Sequence, residues 1–167
     1  MIAPSTDEKR HSFLLFDIGS EMFAVSTNKV NEIIDLPELA RVPALPPCVR
    51  GLMNLRGTVL PVVDLAVKFG FPEAVKSRYA CVVVVEVDHE GATTPIGLIT
   101  PFVHDVVAVS QQEIEESPMF GGKIGAAYLK GIIRRDDRFA LVMDTDVVLS
   151  IDELLGARAE VARATAA

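Results

Sequence analysis

Apolar residues in this chain gather in short runs, each closed by glycine, proline or a polar cluster, rather than at helical spacing. Such punctuation predicts strands joined by turns. Phe13 to Ile18 reads as a strand closed by Gly19-Ser20, with Phe23 to Ser26 as its return. Asn28 to Ile34, with Val30, Ile33 and Ile34 apolar, fits one helical turn running into a strand. Pro37, Pro43, Pro46 and Pro47 then mark a loop that neither a helix nor a central strand would cross. Two apolar runs flank Asn54-Leu55-Arg56-Gly57, which predicts a hairpin, and Pro61 places its second strand on an edge or at a bulge. The β-branched run Cys81 to Val87 has the look of a strand buried on both faces. Asp88 to Pro95 is expected to be a hairpin loop, and Ile96 to Thr100 its return strand. Phe102 to Val109 continues as apolar chain beyond Pro101. Residues 110–127 read as a long loop with one helical turn at Gln111 to Glu116. Tyr128 to Ile133 and Phe139 to Met143 form a last hairpin about the charged turn Arg134 to Arg138. Ser150 and Glu153 make a capping box for a short helix through Leu155, and Gly156 is placed to cap its end.

The chain also resembles itself. Phe23 to Ile34 aligns without gaps on Ile96 to Val107 at an offset of 73, so that Thr27 meets Thr100 and Val30 meets Val103. Gly51 to Asp64 aligns on Gly131 to Asp144 at an offset of 80, glycine first and aspartate last. Two such halves predict two small barrel-like lobes packed together, each too small to bury a core well alone.

Composition and charge narrow the function. The 167 residues fit one domain, or two lobes sharing a core. No apolar run approaches the roughly 18 residues of a membrane-spanning helix. Met1 to His11 is polar without the apolar core of a signal peptide, so it reads as a disordered tail and the cytoplasm as the location. A net charge of −7 argues against nucleic acid and anionic membranes as partners. Cys48 and Cys81 lie far apart and read as small buried residues. His11, His89 and His104 lack ligand spacing, and Gly121-Gly122-Lys123-Ile124-Gly125 lacks parts of a phosphate-binding loop. Asp136-Asp137, set between arginines, reads as a solvated turn. Nothing points to catalysis. The Asn54 to Gly57 turn stands out instead, because it shows a leucine and a cation together. Either Leu55 tucks into the core of an ordinary hairpin or the turn is a contact surface.

The order Pro46-Pro47, Arg50-Gly51, Asn54-Leu55-Arg56-Gly57, Pro61, Asp64-Leu65, Lys68-Phe69-Gly70 resembles the signature of the CheW-like domain of bacterial chemotaxis coupling proteins. Val30-Asn31-Glu32-Ile33 upstream, with Tyr128 to Gly131 and Leu141 to Asp144 downstream, extends the resemblance over residues 12–156, leaving 157–167 as a C-terminal helix or tail. The resemblance implies a mainly β fold: two five-stranded SH3-like barrels about a shared hydrophobic centre, with short helical turns and a short C-terminal helix. It implies a non-catalytic adaptor without cofactor or metal, recruited to membrane receptor arrays. Its partners would be the cytoplasmic tip of a methyl-accepting receptor and the regulatory domain of the histidine kinase CheA. The alternatives are a module of another chemosensory system, such as surface motility, or a competitor of the main coupler. Carried onto matching positions, the receptor-facing residues are Val30, Glu32, Asn54, Leu55, Arg56 and Gly57, with Glu32 and Arg56 paired. Their counterparts in the second half are the two acids Asp105 and Asp136, so the pair belongs to the first half alone. The chain departs from the family at Thr100-Pro101-Phe102-Val103, where an acidic residue is common, which leaves the second lobe's partner open.

Overall fold

The computed structural model describes residues 10–72, 78–116 and 128–150. Continuous apolar runs become strands here because both of their faces are covered. In β6 (Cys81–His89), Val82 and Val84 point into one cluster with Met53, Leu60 and Val62, while Val83, Val85 and Val87 point into another with Phe16, Phe23 and Leu98. β1 (Arg10–Ile18) divides likewise: Phe13 and Leu15 face one side, Leu14, Phe16 and Ile18 the other. Alternation by two puts successive side chains on opposite faces, so a strand between two cores needs no polar positions.

The remaining elements are β2 (Glu21–Ser26), a 3₁₀ turn at Thr27–Lys29, β3 (Val30–Asp35), β4 (Val49–Leu55), β5 (Thr58–Val63) and α1 (Leu65–Lys68). After β6 come β7 (Ala92–Thr100), β8 (Val103–Ser110), a 3₁₀ turn at Gln111–Glu113, β9 (Ile114–Glu115), β10 (Leu129–Arg135), β11 (Arg138–Met143) and α2 (Thr145–Val148). One sheet runs β3-β6-β7-β5-β4 and the other β8-β1-β2-β11-β10-β9. The repeat is real. At an offset of 80, β4, β5 and α1 fall on β10, β11 and α2, and β3 starts 73 residues before β8.

The lobes, however, are not the halves of the sequence. The hairpin β1–β2 joins β8 to β11, and the hairpin β6–β7 joins β3 to β5. The halves exchange hairpins, and the seams are the parallel pairs β2–β11 and β5–β7. The largest cluster accordingly draws on both lobes: Phe16, Phe23 and Met143 from one, Val83, Leu98 and Phe69 from the other. Phe69 stacks on Phe23 with ring centres 5.6 Å apart. This is the shared hydrophobic centre of two SH3-like lobes, and each lobe keeps a smaller core of its own.

Several local expectations need correction. Arg10 and His11 are not tail but strand, paired with Ser110 and Val109. The turn after β6 is only Glu90-Gly91, both at positive φ, because pairing continues to His89 and Ala92. The long loop contains β9, which makes its sheet six-stranded. α1 and α2 were not expected; Asp64 caps the first through Ala66 N–H at 3.0 Å and Asp144 the second through Val147 N–H at 3.4 Å. The aspartate that ends each repeat is thus a helix cap.

β5 is not an edge strand either, since it lies between β7 and β4. Pro61 is tolerated for a different reason. Its partner Leu52 turns both backbone groups outward to Ala40, so the Leu52–Pro61 pair carries no ladder bond. Pairing with β7 begins only at Val62, and the bulge lies opposite, in β4 between Val49 and Gly51. The glycine that opens each repeat is explained by crossing backbone. A Cβ on Gly51 would lie 2.6 Å from the Ala40 carbonyl oxygen, and one on Gly131 2.8 Å from that of Glu115. Residues 1–9, the helix expected beyond Ser150 and the tail from 157 lie outside the described residues.

Candidate functional site

The β4–β5 turn is built locally. Arg56 and Gly57 both have positive φ, 49° and 87°, the backbone twist that closes a two-residue hairpin. Asn54 stabilises it by accepting the Gly57 N–H on its side-chain oxygen at 2.8 Å. Arg56 therefore holds a left-handed conformation that most side chains disfavour, and its side chain leaves the sheet on the side of β3. There it meets Glu32. The guanidinium holds the carboxylate with two bonds, Nη2 to Oε1 and Nη1 to Oε2, the latter 3.3 Å. Glu32 accepts both, which raises the Arg56 pKa above its ordinary value, mainly through hydrogen bonding. The Arg56 side chain is 71% exposed and that of Glu32 24%. The pair is thus a surface feature anchored on one side. Its worth is orientation rather than stability, because exposed ion pairs contribute little.

The six candidates separate by burial. Asn54, Arg56 and Gly57 are exposed. Leu55 is half-buried against the lobe core of Met53, Leu60 and Val84, so it packs inward, as in an ordinary hairpin. Val30 is half-buried against the shared centre. Around Glu32 the strand alternates, and Ile33 on the opposite face is 44% exposed. Val59, paired across from Asn54, is 62% exposed. Ile33 and Val59 are surface apolar residues that reading by composition passes over; the two-residue alternation of Glu32-Ile33-Ile34 and Val59-Leu60 is the signal that finds them.

Most other positions of the Arg50 to Gly70 string do architectural work. Asp64 caps α1, Leu65 and Phe69 lie in the shared centre, and Lys68 donates from Nζ to the Val148 carbonyl while resting 5.7 Å from the Tyr128 ring centre. In the other lobe the equivalent turn again has a left-handed residue, Asp136 at φ 53°, but its ion pairs differ. Arg134 Nε donates to Glu115 at 2.6 Å and its guanidinium lies 5.5 Å from the Phe139 ring centre. Thr100 is fully buried. Its hydroxyl donates to the Asp17 carbonyl at 2.7 Å and accepts the Phe102 N–H at 3.3 Å. Among the described residues no group of acids, histidines and cysteines could hold a metal ion, and no helix is long and apolar enough to cross a membrane.

Comparison with known proteins places this geometry. The CheW-like domain family matches residues 12–153. The chemotaxis protein CheW of Klebsiella aerogenes is 28% identical over 142 residues, covering 85% of this chain and 83% of that protein. CheW of Treponema pallidum is 25% identical, covering 90% and 88%. Among solved structures, the scaffolding protein TtCheW of Thermoanaerobacter tengcongensis superposes with a TM-score of 0.77 at 24% identity, covering 92% of this chain and 96% of that one. At that identity the likeness is one of fold.

Proposed function

Since the chain belongs to the CheW-like domain family, we propose that it works as a non-catalytic chemosensory adaptor. It couples the cytoplasmic tip of methyl-accepting receptors to the regulatory domain of the histidine kinase CheA. The receptor meets the Asn54 to Gly57 turn, with Glu32 and Val30 supporting it from β3. The observation that carries this reading is the two-bond Arg56–Glu32 pair, displayed on one lobe while the equivalent turn of the other carries Asp136. A feature that the repeated architecture does not require is better explained by a partner. Arg56 keeps unused N–H donors facing solvent, and the exposed Val59, across from Asn54, supplies an apolar contact beside the turn.

The test is capture by a receptor-tip fragment and, separately, by the kinase regulatory domain. An adaptor binds both. Binding to one alone marks a competitor of the main coupler, and binding to neither removes the reading. Arg56→Ala is expected to weaken the receptor complex by about tenfold, a loss of about 1.4 kcal/mol, with an unchanged melting curve. A variant that fails to fold would make Arg56 a structural residue instead.

A further inference from the structure

The two places where the chain crosses between lobes are fastened by different chemistry. The second crossing, Thr100 to Phe102, is tied mainly through the Asp17 backbone: the Thr100 hydroxyl to the Asp17 carbonyl, and the Asp17 N–H to the Phe102 carbonyl at 2.9 Å, while the Asp17 carboxylate meets His104 Nε2 at 2.7 Å and lies 3.8 Å from Arg138 Nη2. The first crossing is the 3₁₀ turn Thr27–Lys29, and it is ionic. Lys29 Nζ lies 3.0 Å from Asp88 Oδ2, at the end of β6 in one lobe, and 3.4 and 3.3 Å from the two oxygens of Asp146, in α2 beside the other. The Asp88 N–H donates to Asp146 Oδ1 at 3.1 Å, and the Thr93 hydroxyl to Asp88 Oδ1 at 3.2 Å. Three segments distant in sequence therefore converge on one ammonium. In the repeat, Asp88 corresponds to Asp17 when the hairpin turns are superimposed, so both crossings grip the same aspartate position. Lys29, by contrast, corresponds to Phe102 and Asp146 to Ala66, so a lysine held between two aspartates is particular to the first crossing.

That crossing leads directly into β3. Val30 follows Lys29, a bulge lies between Val30 and Glu32, and Glu32 holds Arg56. We propose that Lys29 is a positioning residue for the Arg56 turn: by holding Asp88 and Asp146 together it sets where β3 starts, and with it the direction in which Glu32 presents the Arg56 guanidinium. This rests on the reading of that turn as the receptor contact. The Lys29 side chain is only 25% exposed, so the clamp is partly sheltered, yet two of its three charges remain open to screening by salt.

The experiment compares Lys29→Met, Lys29→Arg and Asp146→Asn, each as the full chain. Amide spectra and hydrogen exchange at residues 30–32 and 54–57 are read without any partner, and receptor-tip and kinase-domain affinities are read at about 50 mM and about 500 mM salt. Lys29→Met is expected to perturb both amide segments and to weaken receptor-tip binding about three- to tenfold at low salt, with kinase-domain binding unchanged. Lys29→Arg restores both, Asp146→Asn gives a smaller effect of the same kind, and the difference from wild type shrinks at high salt. Unperturbed amides at 54–57 in Lys29→Met and Asp146→Asn, or equal loss for both partners, overturns the proposal. If wild type binds no receptor tip, the reading of the turn fails while the amide measurements still decide whether the clamp positions it.

Discussion

Thr100 shows how a polar side chain can close a strand inside a hydrophobic molecule. It is fully buried, and its hydroxyl serves two backbone groups, the Asp17 carbonyl and the Phe102 N–H. Valine has nearly the same shape but neither donor nor acceptor. Thr100→Val is therefore expected to destabilise the fold by about 1–3 kcal/mol in urea titration, and Thr100→Ser by less, because unsatisfied buried groups bear the full cost of desolvation. A valine variant as stable as wild type would show that these bonds are dispensable. The residue was not legible in the sequence as an internal cross-link, because Asp17 is distant along the chain. Arg56 and Glu32 show the opposite case. The family resemblance, with their opposite charges, made the pair foreseeable, and the two-bond geometry agrees.

At the scale of elements, turns and strands follow from local sterics, and most were readable. The hairpins about Asn54 to Gly57 and Arg134 to Arg138 are where the alternating runs and turn residues place them. Two-residue β9 was not readable, because so short a strand is defined by its neighbour rather than by its own pattern. It pairs with Ile132 and Ile133, and Gly131 lies beside that pairing. A methyl group there would stand 2.6 Å from Ile114 Cγ2 and 2.8 Å from the Glu115 carbonyl oxygen. Gly131→Ala is accordingly expected to cost about 1–3 kcal/mol by overpacking and to expose the Ile114 and Glu115 amides to hydrogen exchange first. Protection equal to wild type would mean that the backbone yields there at no cost. α1 and α2 escaped prediction because four residues cannot show a helical period; only the repeated aspartates hinted at them, as caps.

For the whole molecule, the exchange of hairpins makes the two lobes one cooperative unit, since neither sheet is complete without strands from both halves of the sequence. Charged groups contribute to that unit over a defined pH range. Asp88, hydrogen-bonded by Lys29, is held below its ordinary value of 3.8, and Glu113, bonded by the Ser110 backbone, below 4.5. A carboxylate depressed on folding contributes stability that is complete above its unfolded pKa and drains away as pH falls through the folded one. Lys29, raised above 10.5 chiefly by its bond to Asp88, contributes fully below that value and loses its share only above it. Melting temperature is thus expected to stay level from about pH 7 to about pH 5 and to decline below about pH 4, with Asp88→Asn flattening part of the decline. A melting curve independent of pH in the acid range would rule this out. The sequence by itself determined most of the strands and turns, that the architecture repeats, and that the Asn54 to Gly57 turn differs from its counterpart. Those follow from side-chain alternation, glycine and proline sterics and charge, all of which act over a few residues. Only the tertiary structure decided that the halves interleave, that Leu55 packs inward while Ile33 and Val59 face out, and that Lys29 gathers two aspartates at the first crossing. Those outcomes depend on which distant strands pair, and a hairpin with two apolar faces can pair with either half until both cores are filled.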